Sequence, residues 1–305
     1  MMSHPSFVWI LFGAAFLAAP LTAGVDDRYS SELETWRRAR EAGLKAEDGW
    51  LSVSGLFWLH DGPTQIGADP ANDIVLPAHA PAQVGTLTLT NGRAEFAAAR
   101  EAEITLAGKP FRRGSIHSDH EGEPDILKVG DLSLILIKRG ARFAIRLKDN
   151  QSPQRTSFAG LRWYPPREDW RIKARFVPYD SPVSLKMETI VGETEVEESP
   201  GYVTFEHGGQ EYRLEAAKLK DGGLWFVFRD LTSGRTTHGG ARQLSTPPPK
   251  GDQVELDFNK AVNLPCAYIS YATCPLAPPR NRLKVAIEAG ELKYEPRPVA
   301  PSVSQ

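Results

Sequence analysis

Short runs of β-branched and aromatic residues, separated by turn sequences, recur through this chain and constrain its fold more than any other feature. Two such runs, LSLILIK (132–138) and RFAIRL (142–147), are joined by KRGA, a sequence typical of a tight hairpin turn. The 26 glycines and 24 prolines supply frequent turns between such runs. The sequence therefore predicts a mainly β fold of the sandwich or barrel type.

The runs divide into two β-rich halves, which we place at 50–150 and 158–295. Between them lies the polar stretch KDNQSPQRTS (148–157), which is typical of a linker. One short helix is predicted ahead of both halves, over 29–48, because Leu33, Trp36 and Leu44 recur at roughly helical spacing. Ser31 and Glu34 have the spacing of a capping box at its start.

The first 23 residues contain no charged side chain, and they include an apolar run of 13 residues from Phe7 to Ala19. That length suits the core of a signal peptide and is too short to span a bilayer. An uncleaved anchor or a buried N-terminal helix is the alternative. We expect an exported protein, periplasmic or secreted, with no transmembrane segment in its mature chain. Residues 296–305 are expected to be a disordered tail.

Composition limits the classes of partner. The 41% hydrophobic and 24% charged content is that of a folded globular protein, and the net charge of −2 offers no broad attraction for nucleic acid. The loop FRRGSIHSDHEGEPDIL (111–127) groups histidines with carboxylates, but we interpret it as a solvated hairpin loop and predict no metal site. The sequence identifies no cofactor and no oligomeric state.

The segment from Ile66 to Phe96 resembles the forkhead-associated (FHA) domain. Gly67 and the run from Asp73 to Leu76 match the family pattern, whereas Ala68 stands where the family has arginine. AHAPAQVG (78–85) replaces the family's Ser/His loop. Phosphothreonine recognition needs a guanidinium and a hydroxyl or amide at the phosphate. The resemblance therefore implies a β-sandwich over 50–150 that lacks its usual phosphate-binding residues.

The richest polar segment is LDFNKAVNLPCAYISYATCPLAPPRNRL (256–283), which is too broken by proline to be a helix. Long irregular loops often carry function, although their polar side chains also serve to satisfy the loop's own backbone. The candidate ligand-binding residues are Asp230, Arg242, Asp257, Asn259, Asn263, Tyr268, Asn281 and Arg282.

The same segment holds both cysteines of the chain, Cys266 and Cys274. An even cysteine count in an exported protein predicts a disulfide. A zinc site would need two further ligands, and a nucleophilic cysteine would need a reduced state and a nearby base.

Nearly the whole mature chain, roughly Trp36 to Tyr294, resembles domain-of-unknown-function family 1684 of bacteria and archaea. The motifs that carry the resemblance are DGWLSVSGLFWL, GADPANDIVLP, FRDLTSGRTTHGGARQL and LDFNKAVNLPCAYISYATCPLAPPRNRLKVAIEAGE. The family more often has an aromatic residue in place of His238. It carries no established activity, so the resemblance implies no reaction.

Three functions fit these residues. The preferred hypothesis is binding of a small molecule or cell-envelope component at the C-terminal motif. A hydrolytic enzyme would instead use Asp230 and Asp257, with Arg242 or Arg282 as an electrophilic clamp. The third hypothesis is a structural or interaction module. Convergence of the polar set on a pocket would favour the first two, and a carboxylate of raised pKa facing that pocket would favour the enzyme. Mutual saturation in a dry interior would favour the third.

Overall fold

The structure is a computed structural model in which residues 26–296 are described. The predicted signal peptide (1–23) and residues 297–305 of the predicted tail lie outside them. Within the described residues, the prediction of a mainly β fold with one N-terminal helix is confirmed. The helices are α1 (Asp27–Lys45) and the single turn α2 (Pro153–Thr156). The strands are β1 Val53–Trp58, β2 Gly62–Gly67, β3 Ile74–Val75, β4 Gly85–Thr90, β5 Arg93–Ala98, β6 Thr105–Leu106, β7 Lys109–Pro110, β8 Arg113–Ile116, β9 Ile126–Val129, β10 Leu132–Arg139, β11 Arg142–Asp149, β12 Arg171–Glu188, β13 Thr194–His207, β14 Gln210–Lys218, β15 Leu224–Phe228, β16 Arg242–Thr246, β17 Gln253–Asp257 and β18 Val262–Asn263.

The first half is a sandwich of two sheets around one apolar core. Five strands pair in the order β3-β2-β4-β5-β8, and six pair in the order β1-β11-β10-β9-β6-β7. Leu87 and Phe96 of the first sheet share a buried cluster with Leu134 and Ile145 of the second. The hairpin of β10 and β11 turns at Gly140, whose φ of +56° is a conformation that glycine adopts without strain.

The second half is one seven-stranded sheet in the order β17-β12-β13-β14-β15-β16-β18. The sheet curves around an aromatic core in which Phe258 contacts Trp170, Phe205 and Phe228, with ring centroids 5.6–5.7 Å apart. Leu244 of β16 lines a cavity together with residues of β17, at the opposite end of the strand order. The two ends of the sheet therefore approach one another, but no ladder between them closes a barrel within residues 26–296.

Helix α1 packs against the second half. It begins at Asp27 after the N-cap Asp26, whose carboxylate accepts from the backbone N–H of Arg28, so the predicted capping box at Ser31 is wrong. Leu33 and Leu44 are buried, and the Tyr29 hydroxyl lies 2.8 Å from a carboxylate oxygen of Asp257. Among residues 26–296, no helix has the length and apolar character to cross a membrane.

The two halves meet in a third apolar cluster and a set of polar contacts. Leu51 and Val53 of the first half share this cluster with Val227 and Leu264 of the second. At the edge of the cluster the Arg139 guanidinium lies 3.3 Å from the Glu195 carboxylate. This junction, rather than either half alone, positions the site described below.

Replacing Phe258 tests the aromatic core. We expect Phe258→Ala to lower the free energy of unfolding by about 3–5 kcal/mol, because the substitution opens a cavity among three aromatic rings. Urea denaturation measures this, with Val196→Ala as the control at a side chain that is 57% exposed. The control should change stability by less than about 0.5 kcal/mol. Equal effects of the two variants would contradict the assignment of Phe258 to the core.

Candidate functional site

The candidate polar residues occupy separate hydrogen-bonded groups rather than the wall of one pocket. Seven of the eight are buried, and Arg282 is exposed. Arg282 donates from Nε to the Ala277 carbonyl at 3.2 Å. Asp257 also lines a cavity of about 560 Å³ between β16 and β17.

Asp230 and Arg242 form an ion pair with both side chains fully buried. Arg242 also donates to the carbonyl oxygens of Ile287, at 2.9 Å, and Ala289. Asp230 accepts from the backbone N–H of Thr232 at 2.6 Å. The pair therefore fastens the C-terminal segment to β16, and it leaves no room for a substrate.

Asn259 and Asn281 both bridge backbone groups. The Asn259 side chain accepts from the N–H of Arg167 and donates to the carbonyl of the same residue, both at 2.9 Å. The Asn281 side chain accepts from the N–H of Glu215 at 2.7 Å and donates to the carbonyls of Glu215 and Val227, each at 3.0 Å. The Asn281 amide thus bridges β14 and β15 beyond the last residue pair of their ladder, whereas Asn259 pairs with the backbone of Arg167 ahead of β12.

Asn263 and Tyr268 converge on Glu291, a fully buried carboxyl that the sequence analysis did not select. Asn263 donates to Glu291 from Nδ2 at 2.8 Å and from its backbone N at 3.2 Å, and the Tyr268 hydroxyl donates as well. Burial raises the pKa of Glu291 to about 7, despite these hydrogen bonds and the Arg40 guanidinium. The buried members of the polar set thus hydrogen-bond mainly to other groups of the protein, although Asn263 Oδ1 and Arg242 Nε have no partner. This pattern favours a structural role for them.

A different part of the C-terminal motif lines a cavity of about 230 Å³ at the junction of the two halves. Its walls come from seven separate stretches of the chain. They are Trp50, Arg139, Glu195, Trp225, Gln243, Leu264, Pro265, Thr273, Cys274 and Pro275.

The polar groups of this cavity are held in place. Arg139 donates to the Asp119 carboxylate at 2.8 Å and to the Thr273 hydroxyl at 2.9 Å, and it pairs with Glu195. Burial raises the pKa of Glu195, although Arg139 opposes the shift. The Trp225 indole N–H donates to the Gln243 side chain at 2.7 Å.

Arg146 lies behind the cavity with 8% of its surface exposed. Its guanidinium lies 5.0 Å from the ring centroid of Trp50 and donates to the Thr273 hydroxyl at 3.4 Å. Burial lowers the pKa of Arg146 to about 10. Arg139 and Arg146 each follow apolar residues within a strand, in β10 and β11. A basic residue at such a position is the sequence signal that could have identified the side of the molecule on which this cavity lies.

Cys266 and Cys274 are free thiols in the structure, so the predicted disulfide is not shown. The Cys274 sulfur accepts from the backbone N–H of Cys266 at 3.2 Å, and the Cys266 sulfur lies 3.3 Å from Nε2 of His238. Cys274 is buried and lines the cavity. Within the described part of the chain, no group of three or more His, Cys, Asp or Glu side chains is arranged to hold a metal ion.

The pKa of Glu291 makes stability depend on pH in a defined direction. A carboxyl whose pKa rises from 4.5 to about 7 on folding binds more protons in the folded state. Its contribution is therefore complete below pH 4.5 and declines as the pH rises towards 7. We expect the stability of the native protein, relative to Glu291→Gln, to fall by about 2–4 kcal/mol between pH 4.5 and pH 8.

Urea denaturation of both proteins across this range gives the difference directly. The matched control is Glu288→Gln, because the Glu288 side chain is 58% exposed. Its difference from the native protein should stay flat. A flat difference for Glu291→Gln would contradict the raised pKa.

The chain is similar to one protein family and to several solved structures. The family model described as "Protein of unknown function (DUF1684)" matches residues 156–292. An uncharacterised protein of Haloarcula marismortui, from gene locus rrnAC0354, is 32% identical over 45% of this chain and 78% of its own, with a TM-score of 0.39. The search of curated proteins found no match.

Solved FHA domains are also similar to part of the chain. The FHA-2 domain of the Mycobacterium tuberculosis ABC transporter Rv1747 is 26% identical, over 29% of this chain and 77% of its own, with a TM-score of 0.22. The FhaA FHA domain, solved with the intracellular domain of Rv3910, is 15% identical, over 30% of this chain and 96% of its own, with a TM-score of 0.22. The family match and the Haloarcula relative identify the chain: it belongs to DUF1684, a family of proteins of unknown function.

Proposed function

We propose that this is an exported protein that binds a small envelope component, one sugar ring of a glycan, in the cavity at the junction of the two halves. The observation that carries the proposal is the lining of that cavity, in which Trp50 and Trp225 accompany the side chains of Arg139, Glu195 and Gln243. The uncharged leader at residues 1–23 supports export.

A sugar ring has an apolar C–H face and a polar edge of hydroxyl groups. The indole rings of Trp50 and Trp225 offer apolar surface for such a face. Charged and amide groups of Arg139, Glu195 and Gln243 can donate to or accept from hydroxyl groups at the edge. Arg139 already carries two carboxylate partners, so the cavity favours a neutral ligand over an anion.

The size of the cavity limits the ligand. At about 230 Å³ it lies below the range of about 300–1,000 Å³ that is usual for drug-sized molecules. It therefore suits a single ring at a chain end rather than several linked sugars.

The C-terminal motif serves this cavity in two ways. Leu264, Pro265 and the run 273–275 form part of its wall. The Asn263–Glu291 hydrogen bonds hold the chain just before this wall, and Tyr268 holds the loop between the two wall segments. These buried polar residues thus support the proposed site, and the binding groups are their neighbours in the chain and in the fold.

A thermal-shift screen with monosaccharides and short envelope-glycan fragments tests the proposal. A ligand at about a hundred times its Kd should raise the melting temperature by about 5 °C. We expect Trp225→Ala to weaken binding by about tenfold, since it removes one aromatic surface. The control is Trp36→Ala, because Trp36 is a half-buried tryptophan that lines a different cavity. Equal weakening by both variants, or no shift with any sugar, would overturn the proposal.

A second candidate function, hydrolysis of a glycoside bound in this cavity, is favoured by the raised pKa of Glu195. A carboxyl of raised pKa keeps its proton to a higher pH than an ordinary one, and a protonated carboxyl can protonate a leaving oxygen. Nitrophenyl glycosides of the sugars that bind provide the assay. If the protein is a hydrolase, Glu195→Gln should lower turnover by at least about 100-fold while keeping affinity.

The matched control is Glu197→Gln. Burial also raises the pKa of Glu197, but Glu197 does not line the cavity. It should therefore leave turnover unchanged. Bound glycosides that are never cleaved would assign the cavity to binding alone.

A further inference from the structure

We propose that Cys266 and Cys274 form a thiol–disulfide exchange site, in which Cys266 attacks an exposed disulfide and Cys274 resolves the mixed disulfide. The substrate class is a small-molecule or peptide disulfide. The site adjoins the sugar-binding cavity proposed above, because Cys274 is part of the wall of that cavity, but its test does not depend on any sugar.

The arrangement of the two thiols carries this inference. The backbone N–H of Cys266 donates to the Cys274 sulfur at 3.2 Å, and Nε2 of His238 lies 3.3 Å from the Cys266 sulfur. Cys266 is half-buried, whereas Cys274 is only 5% exposed. A reagent from solution therefore meets Cys266 first, and Cys274 is in place behind it.

The surroundings activate one sulfur and not the other. A hydrogen bond from the Cys274 thiol, together with the nearby His238 ring, lowers the pKa of Cys266 to about 5 despite its burial. The pKa of Cys274 is raised, first by its hydrogen bond to Cys266 and then by burial, with Glu195 adding to the effect. Since the thiolate is the nucleophile, this asymmetry makes Cys266 the attacking residue.

The absence of a side chain at Gly240 leaves space for this arrangement. A Cβ at Gly240 would lie 2.7 Å from Nε2 of His238 and 3.7 Å from the Cys266 sulfur. Any larger residue there would displace the imidazole from the thiol. The sequence HGG (238–240) therefore brings a base to Cys266 and keeps the neighbouring position empty.

The proposed exchange balances in two steps. The Cys266 thiolate attacks one sulfur of a disulfide, the S–S bond breaks, and the leaving thiolate takes up a proton. The Cys274 thiol then loses its proton to solvent or to His238, and its sulfur attacks Cys266 in the mixed disulfide. The second thiolate leaves and is protonated, so two protein thiols are oxidised and the substrate disulfide is reduced to two thiols.

The reaction of the full reduced protein with dithiobis-nitrobenzoate, an aromatic disulfide whose thiolate product is coloured, tests this order. We expect the native protein to release two equivalents of thiolate, retain no label and lose two hydrogens in mass. Cys274→Ala should release one equivalent and keep the label on Cys266. Cys266→Ala should react at least about tenfold more slowly, because the remaining thiol is buried and has a raised pKa.

Two further variants separate the proposed site from simple thiol exposure. His238→Asn and Gly240→Ala should each slow the first step by about three- to tenfold at pH 7, with a thermal melt to verify folding. In the native protein, rapid quenching and peptide mapping should find the first label on Cys266. A first label on Cys274, a stable label on the native protein, or reaction only after unfolding would overturn the proposal.

Discussion

The irregular C-terminal segment after β17 must satisfy its backbone polar groups without a regular ladder, and the second half of the molecule depends on how it does so. The guanidinium of Arg242 donates to the carbonyls of both Ile287 and Ala289 in this segment. Asn281, within that segment, accepts from the N–H of Glu215 in β14 and donates to the carbonyls of Glu215 and of Val227 in β15. Unpaired groups of this kind would each destabilise the fold by about 1–3 kcal/mol, so these side chains are structural necessities.

That constraint explains why the buried polar residues around the C-terminal segment are unsuited to binding a ligand or to catalysis. The Arg242 guanidinium holds Asp230 and two carbonyls, and its complete burial closes it to a ligand from solvent. Side chains that face the cavity lie elsewhere in the same segment, where Thr273 and Cys274 reach the junction of the two halves. Asn263 and Tyr268 hold the loop in place through Glu291, and other residues of the loop line the cavity.

The sequence was sufficient for features that depend on local pattern. The β-branched and aromatic runs at 132–138 and 142–147, joined by the turn sequence KRGA, predicted the β10–β11 hairpin. It was not sufficient for features made by packing between distant segments. Trp50, Glu195 and Trp225 are far apart in sequence, and nothing in their local patterns shows that they line one cavity. Likewise, Glu291 is distinguished by complete burial, which no short motif encodes.

Cys274 belongs both to the cavity wall and to the thiol pair, and this shared position links the two proposals. Formation of a disulfide would remove the thiol hydrogen and draw the Cys274 sulfur towards Cys266. If that movement changes the affinity for a ligand by some factor, thermodynamic linkage requires the ligand to change the redox equilibrium of the pair by the same factor. A ligand that contacts Trp50 and Trp225 but not Cys274 would leave that equilibrium unchanged, because only differential contacts shift a population.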